Sequence, residues 1–472
     1  MNEGLRTKEK LSYGLGAIGK DMVYMLSASY ILYYFNDVMG VSAVAMGTIL
    51  LIARIFDAFN DPVMGVIVAK TKTRFGRFRP WLLIGTVINA VILFIMFACP
   101  PSLNGSGLVA YAAVTYILWG VTYTMMDIPY WSMIPAFTNT GKEREGLTTL
   151  ARSCAGVGSA IITIVTMKVV MMLGNNNERV GFKWFALAVA ILFVVFIAVT
   201  CINVKEKSSV DMETVGVGEM FKALIRNDQA MVIVIAIVLI NCAVYITSNL
   251  VIYFFKYDFG GTKWYDSYVL FNTFGGGIQI LSMMIIYPLL RKFASNVKIF
   301  YICLASAMVG YAVLLAVAAG TGMQNVYILF VPAFFIFAAN GVLQVLTTVF
   351  LANSCEYGDL KNGRKDESVI FSMQTFVVKL ASGIAAFVAS ICLSLNNLKS
   401  GTEASETDKV KDFSEGVSAA SKSGLRTTMT VIPIVGLILA VIVFKKAFKL
   451  DEKKMEEIAA ELASRNKDVI KD

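Results

Sequence analysis

A chain of 472 residues that is 57% hydrophobic and only 16% charged has the composition of a polytopic membrane protein, which excludes a soluble domain. It contains no histidine, so His-based triads, His metal sites and His proton relays are excluded together. The net charge of +9 does not point to nucleic acid, because the basic residues fall in short connections between apolar runs, where the positive-inside rule places them.

Apolar runs of about 20 residues or more predict an all-α protein with twelve membrane-spanning helices. They fall at 11–36, 42–69, 80–99, 107–137, 147–173, 181–203, 229–256, 266–290, 297–319, 326–353, 368–395 and 425–447. The polar stretch Met1 to Lys10 precedes the first run without a small-residue cleavage signature, so the first span is expected to remain as an anchor. The connection Lys70 to Arg79 is dense in positive charge, whereas Pro100 to Gly107 is nearly uncharged, which puts both termini, the 70–79 loop and the 204–228 segment in the cytoplasm. The expected layout is a six-helix bundle over 1–203, a middle loop over 204–228, a second, pseudo-symmetric six-helix bundle over 229–447, and a cytoplasmic tail over 448–472. The tail reads as a mixed-charge amphipathic helix, solvated or lying on the surface. Seven isolated cysteines without CxxC spacing suggest neither a disulfide framework nor a metal site.

Polar residues inside the spans carry the functional signal. Span 1 contains Lys20-Asp21, an ion pair that could equally sit at the cytoplasmic end of the helix. Span 2 contains Arg54-Ile-Phe-Asp-Ala-Phe-Asn-Asp-Pro62, in which Asp57, Asn60 and Asp61 project oxygen-bearing side chains from one broad helical face. Charges at that depth cost about 2.5 to 3.5 kcal/mol each on insertion scales, so they are rarely present without a partner or a job. Arg54 can neutralise one of the two carboxylates in a structural pair, and the other still awaits a positive charge. Carboxylate and amide oxygens are hard ligands suited to Na⁺ or Li⁺, and the carboxylates can equally take H⁺. Asp57 and Asp61 are the candidate metal ligands.

In span 4, Tyr123, Asp127 and Trp131 recur every four residues and form one stripe. A carboxylate that accepts sugar hydroxyls beside an aromatic face that packs on a pyranose ring is the chemistry of a sugar site. Arg152 in span 5 is placed to donate to hydroxyls or to hold Asp21 and Asp127. Lys379 in span 11 is a lone cation able to compete with a bound cation for the span 2 aspartates.

These stretches, with Tyr13-Gly-Leu-Gly-Ala-Ile-Gly-Lys-Asp21, Arg77-Phe-Arg-Pro-Trp81 and Ser372-Met-Gln-Thr-Phe-Val-Val-Lys379, resemble the glycoside, pentoside and hexuronide cation symporter family of the major facilitator superfamily, over about residues 8 to 395. The resemblance implies that Asp57 and Asp61 bind the coupling cation, that Asn60 governs which cation is used, and that Thr124 adds a hydroxyl. It also implies a coupling role for Lys379 and Arg54, and a sugar site of Lys20, Asp21, Tyr123, Asp127, Trp131, Arg152, Gln374, Thr375, Val378 and Lys379. Two departures stand out: Asn353 opens a stretch that is usually Asp-rich, and Gln344 replaces an aromatic.

The expected activity is import of a galactoside such as melibiose with Na⁺, Li⁺ or H⁺ by alternating access across the cell membrane, with no cofactor and no nucleic-acid partner. A proton-coupled glucuronide or pentoside carrier is the alternative. An intramembrane aspartyl protease is disfavoured, since two carboxylates four residues apart on one helix lie about 5–6 Å apart at Cβ rather than sharing a proton.

Overall fold

The structure is a computed structural model that describes residues 5–137, 141–206, 217–320, 325–362, 367–398 and 412–469. The described residues form helices and turns with no strand. In a bilayer this is the economical solution, because each helix satisfies its own backbone hydrogen bonds. They fall into two compact units, residues 5–206 and residues 217–398 with 412–469.

The first unit contains α1 (Thr7–Tyr33), α2 (Ala43–Lys70), α3 (Arg79–Phe97), α4 (Gly105–Ser132), the one-turn α5 (Ile134–Phe137), α6 (Gly141–Leu173) and α7 (Glu178–Asn203). Its α1 packs mainly on α6 and α7, while α4 packs on α2 and α3. Small residues allow the close approaches that hold helices together in lipid, where the hydrophobic effect between them is absent. A Cβ at Gly158 would lie 2.4 Å from the Ile18 carbonyl oxygen, which seats α6 on α1. A Cβ at Gly85 would lie 2.9 Å from the Met126 nitrogen, which seats α3 on α4.

The second unit contains α8 (Val217–Arg226), α9 (Asp228–Tyr253), α10 (Trp264–Leu281), α11 (Tyr287–Arg291), α12 (Asn296–Gly320), α13 (Phe330–Asn362), α14 (Glu367–Leu395), α15 (Ala419–Ala447) and α16 (Glu452–Val469). Here α9 packs on α14 and α15, and α13 on α10 and α12. A bidentate pair with a buried carboxylate ties the unit together: Arg426 on α15 donates to both oxygens of Asp258, at 2.7 and 2.6 Å.

Eleven helical segments among the described residues are long and apolar enough to cross a membrane. The remaining expected span is α1, whose 27 residues include Lys20 and Asp21 and are correspondingly less apolar. The protein is therefore an all-α, multi-pass membrane protein of the expected class. Several boundaries differ from expectation: α13 runs on to Asn362, nine residues past 353, and α6 and α15 begin six residues early, at Gly141 and Ala419. The run expected over 107–137 breaks after Ser132, with Pro129 in the last turn of α4, and the middle segment contains the helix α8. Residues 207–216 of that segment and 399–411 of the expected outer loop lie outside the described residues. The tail forms α16 and is docked as well as solvated: Ile458 is buried, and Glu452 pairs with Arg291 at 2.6 Å.

The first long helix of each unit, α1 and α9, ends in the same way. A π-helical turn, Tyr34–Val38 after α1 and Phe254–Phe259 after α9, buries an aspartate, Asp37 and Asp258 respectively. A glycine with positive φ follows each turn, Gly40 at 76° and Gly260 at 68°. The α2–α3 connection is pinned by Glu206, whose carboxylate accepts the backbone N–H groups of Arg77 and Phe78 at 2.7 and 2.9 Å, where the helix α3 begins. Gly76, with φ +101°, leaves the room for it, since a Cβ there would lie 2.3 Å from a Glu206 oxygen.

Candidate functional site

Two adjoining clusters in the first unit gather most of the residues singled out in the sequence. On α2, the buried Arg54 guanidinium donates to Asp57 at 3.3 Å and lies over the Tyr24 ring. Asp57 in turn packs on α4 at a glycine: a Cβ on Gly120 would sit 2.6 Å from Asp57 Oδ1. One turn further along α2, Asp61 accepts the Thr124 hydroxyl at 3.0 Å. The Asn60 side-chain nitrogen is buried without a hydrogen-bond partner. An orphaned buried polar atom costs about 1–3 kcal/mol, so this face of α2 is not optimised for stability.

The second cluster centres on Lys20 of α1. Its ammonium lies 2.8 Å from Asp127 on α4 and 3.2 Å from Asp21, and donates to the Tyr123 hydroxyl at 3.3 Å. These three partners match the three N–H bonds of an ammonium. The lysine side chain is 5% exposed, while those of Asp21 and Asp127 are 19% and 24% exposed. The cation is thus saturated and sealed, whereas its two carboxylates keep oxygen lone pairs facing open space. Trp131 donates its indole N–H to Asp127 at 3.1 Å, and the Arg152 guanidinium lies 4.0 Å over the Trp131 ring. An aromatic run of Tyr116, Trp119 and Tyr123 continues along α4, with Tyr24 against the latter two.

Two sequence expectations change here. Arg152 was expected to donate to hydroxyls or to hold Asp21 and Asp127; the holding falls to Lys20, which pairs with both, and Arg152 stacks on the indole. The Lys20-Asp21 pair was also open to a reading as a terminal ion pair, yet Lys20 is buried and joined to α4. The stripe Tyr123, Asp127, Trp131 is brought together as expected. Gln374, Thr375, Val378 and Lys379 all lie on α14 in the second unit, with Thr375 exposed and the others half-buried. Gly120 and Tyr24 were missed as site residues, because a glycine or a tyrosine in an apolar run carries no signal of its own.

The family described as MFS/sugar transport protein matches residues 12–452. The chain belongs to that family. As a member of the MFS/sugar transport protein family it is a transporter, not an enzyme. The raffinose carrier protein of Pediococcus pentosaceus is 28% identical, across 96% of this chain and 71% of its own. The isoprimeverose transporter of Lactiplantibacillus pentosus is 27% identical, across 97% and 92%. Among solved structures, a bacterial homolog of the human lysosomal transporter Spinster superposes with a TM-score of 0.67 at 11% identity, across 96% of this chain and 97% of that one. The xylose transporter XylE from E. coli superposes with a TM-score of 0.58 at 15% identity, across 96% and 98%. These two likenesses establish the fold.

Proposed function

We propose that this chain is a secondary active symporter of the cell membrane, importing a neutral galactoside such as melibiose together with Na⁺, with Li⁺ and H⁺ as the other cations its aspartates suit. The observation that carries the sugar reading is Lys20 saturated between two partly open carboxylates beside Trp131. Asp21 and Asp127 accept hydroxyls of the ring while Trp131 packs on its C–H face. Two carboxylates balanced by Lys20 and Arg152 leave no surplus positive charge for an anionic sugar, which favours a neutral galactoside over a glucuronide.

Asp57, Asp61, Thr124 and Asn60 are the cation ligands in this reading. No group of three or more carboxylate or thiol side chains suited to a metal occurs among the described residues. In this reading the two carboxylates, one of them already paired with Arg54, form with a hydroxyl and an amide a low-charge oxygen set suited to a monovalent ion. Lys379 and Arg54 act in coupling, and Gln374, Thr375 and Val378 belong to the sugar site. Thr124 and Asp127 sit three residues apart on α4, so a cation that changes the Asp61–Thr124 contact changes the helix that carries the sugar clamp. By linkage, a sugar whose affinity rises with the cation raises cation affinity by the same factor. The positive-inside pattern supports cytoplasmic termini.

The test is galactoside binding to purified protein at neutral pH with and without Na⁺, for the native chain, Asp57→Cys and Asp127→Cys. Tighter binding with Na⁺, lost in Asp57→Cys, together with no binding in Asp127→Cys, is the expected result. Binding of a glucuronide or pentoside but of no galactoside overturns the substrate, and indifference to Na⁺ and Li⁺ overturns the metal-ion coupling.

A further inference from the structure

α1 reaches α4 across a gap that long side chains span. One bridge is Lys20 with Asp127 and Tyr123, already described. The other is a pair of tyrosines, Tyr13 on α1 and Tyr130 on α4, both fully buried. Their rings stack with centroids 4.4 Å apart and planes 14° from parallel. Each hydroxyl donates to the main-chain carbonyl of the other residue.

The crossed pair suits the chain on both sides. The Tyr130 carbonyl lies in the last turn of α4, where helix carbonyls lack intrahelical partners, and the Tyr13 hydroxyl supplies one. The Tyr13 carbonyl lies inside α1 and has a second lone pair for the Tyr130 hydroxyl. Gly16 makes room for the ring: a Cβ there would lie 3.1 Å from Tyr130 Cε2. Because each phenol is tied to the opposite backbone, the pair fixes both the separation of the two helices and their axial register. Packing of the rings alone would leave the register free to slip.

Tyr13 precedes Lys20 by two helical turns on the same side of α1. Tyr130 is three residues beyond Asp127 and meets the Trp131 ring edge-on at 5.4 Å. A shift at the tyrosines therefore alters the Lys20–Asp127 distance and the tilt of the indole. We propose that Tyr13 and Tyr130 are a positioning pair that sets the width of the sugar site between α1 and α4, an inference that rests on the reading of that site given above.

The experiment uses the full chain with Tyr13→Phe, Tyr130→Phe and the double variant, which keep the rings and remove only the hydroxyls. Spin labels at Leu11, which is 64% exposed, and Ser132 report the α1–α4 separation in a background with the native cysteines replaced. The expected result is a broadened distance distribution and nitrophenyl-galactoside binding weakened about 3- to 10-fold per variant, as the loss of one hydrogen bond implies. The Na⁺ concentration for half-maximal thermal stabilisation stays at the native value. An unchanged distance distribution overturns the proposal whatever sugar the protein binds. So does a parallel fall of sugar affinity, Na⁺ affinity and melting temperature, which marks general loosening. If the native protein binds no galactoside while the variants still broaden the distances, the substrate assignment falls and the positioning pair stands. Should the double variant not fold, the single variants decide.

Discussion

The Thr124 hydroxyl donates to the Asp61 carboxylate across 3.0 Å, joining α2 to α4 one turn before α4 presents Asp127 to Lys20. A hydrogen bond to a charged group contributes about 1.5–3 kcal/mol. Thr124→Val keeps the shape and removes that bond, so the Na⁺ concentration giving half-maximal enhancement of sugar binding is expected to rise about 10-fold or more. Sugar affinity at saturating Na⁺ stays near the native value. A Na⁺ titration of sugar binding checks this, and an unaltered half-point would remove Thr124 from the cation site.

Lys20→Met leaves Asp21 and Asp127 facing each other without their shared cation. Removing one partner of a buried pair costs about 3–5 kcal/mol, toward the lower end here because both carboxylates are partly open. The melting temperature in detergent is expected to fall and sugar binding to disappear. Adding Asp127→Asn relieves the repulsion and recovers much of the melting temperature, without recovering sugar binding. Recovery of both would show that the pair is structural only.

Glu206→Gln replaces a carboxylate held by two backbone N–H groups with a neutral amide, and is expected to cost about 1–2 kcal/mol. Gly76→Ala costs more, because φ +101° disfavours any side chain and the added Cβ meets the Glu206 carboxylate. Combining the two is expected to give less than the sum of the separate losses, since they strike the same contact. Thermal unfolding of the four proteins measures this; strict additivity would separate the two residues.

Asp258→Asn breaks the bidentate pair with Arg426, in which the Asp258 side chain is fully buried. The expected loss is about 3–5 kcal/mol of stability in the second unit. Asp258→Glu, which keeps the charge but not the fork geometry, falls between the two. A melting temperature of Asp258→Asn within about a degree of native would exclude a stabilising role for the pair, given several degrees expected per kcal/mol.

How far the sequence carried this reading depends on how local each feature is. The α4 stripe of Tyr123, Asp127 and Trp131 was legible, because helical periodicity alone puts residues four apart on one face. The α2 residues were legible because charges in an apolar run are costly. What Lys20 does was not legible, since its decisive partner Asp127 lies 107 positions away and only folding sets their distance. The choice between the two roles open to Arg152 was illegible for the same reason: a guanidinium in a span must find an acceptor or a ring, and the sequence does not say which. The Tyr13–Tyr130 pair was invisible, because two tyrosines in apolar runs have the signature of ordinary packing. Helix boundaries held within a few residues for most spans, but α13 runs nine residues past the expected 353, α6 and α15 begin six residues early, α4 stops at Ser132, and α8 forms inside the polar middle segment.

The π-helical turns that close α1 and α9 mark matching places in the two units. A π turn accommodates an extra residue in a helix; one ends the first long helix of each unit, and a third, Ser282–Ile286, lies within the second unit. Each of the two closing turns carries a buried aspartate and is followed by a left-handed glycine, so the two units share an ending that is set by the backbone. What precedes the acid differs, Asn36 before one aspartate and Lys256-Tyr257 before the other, so the same backbone ending is built from two unlike sequences.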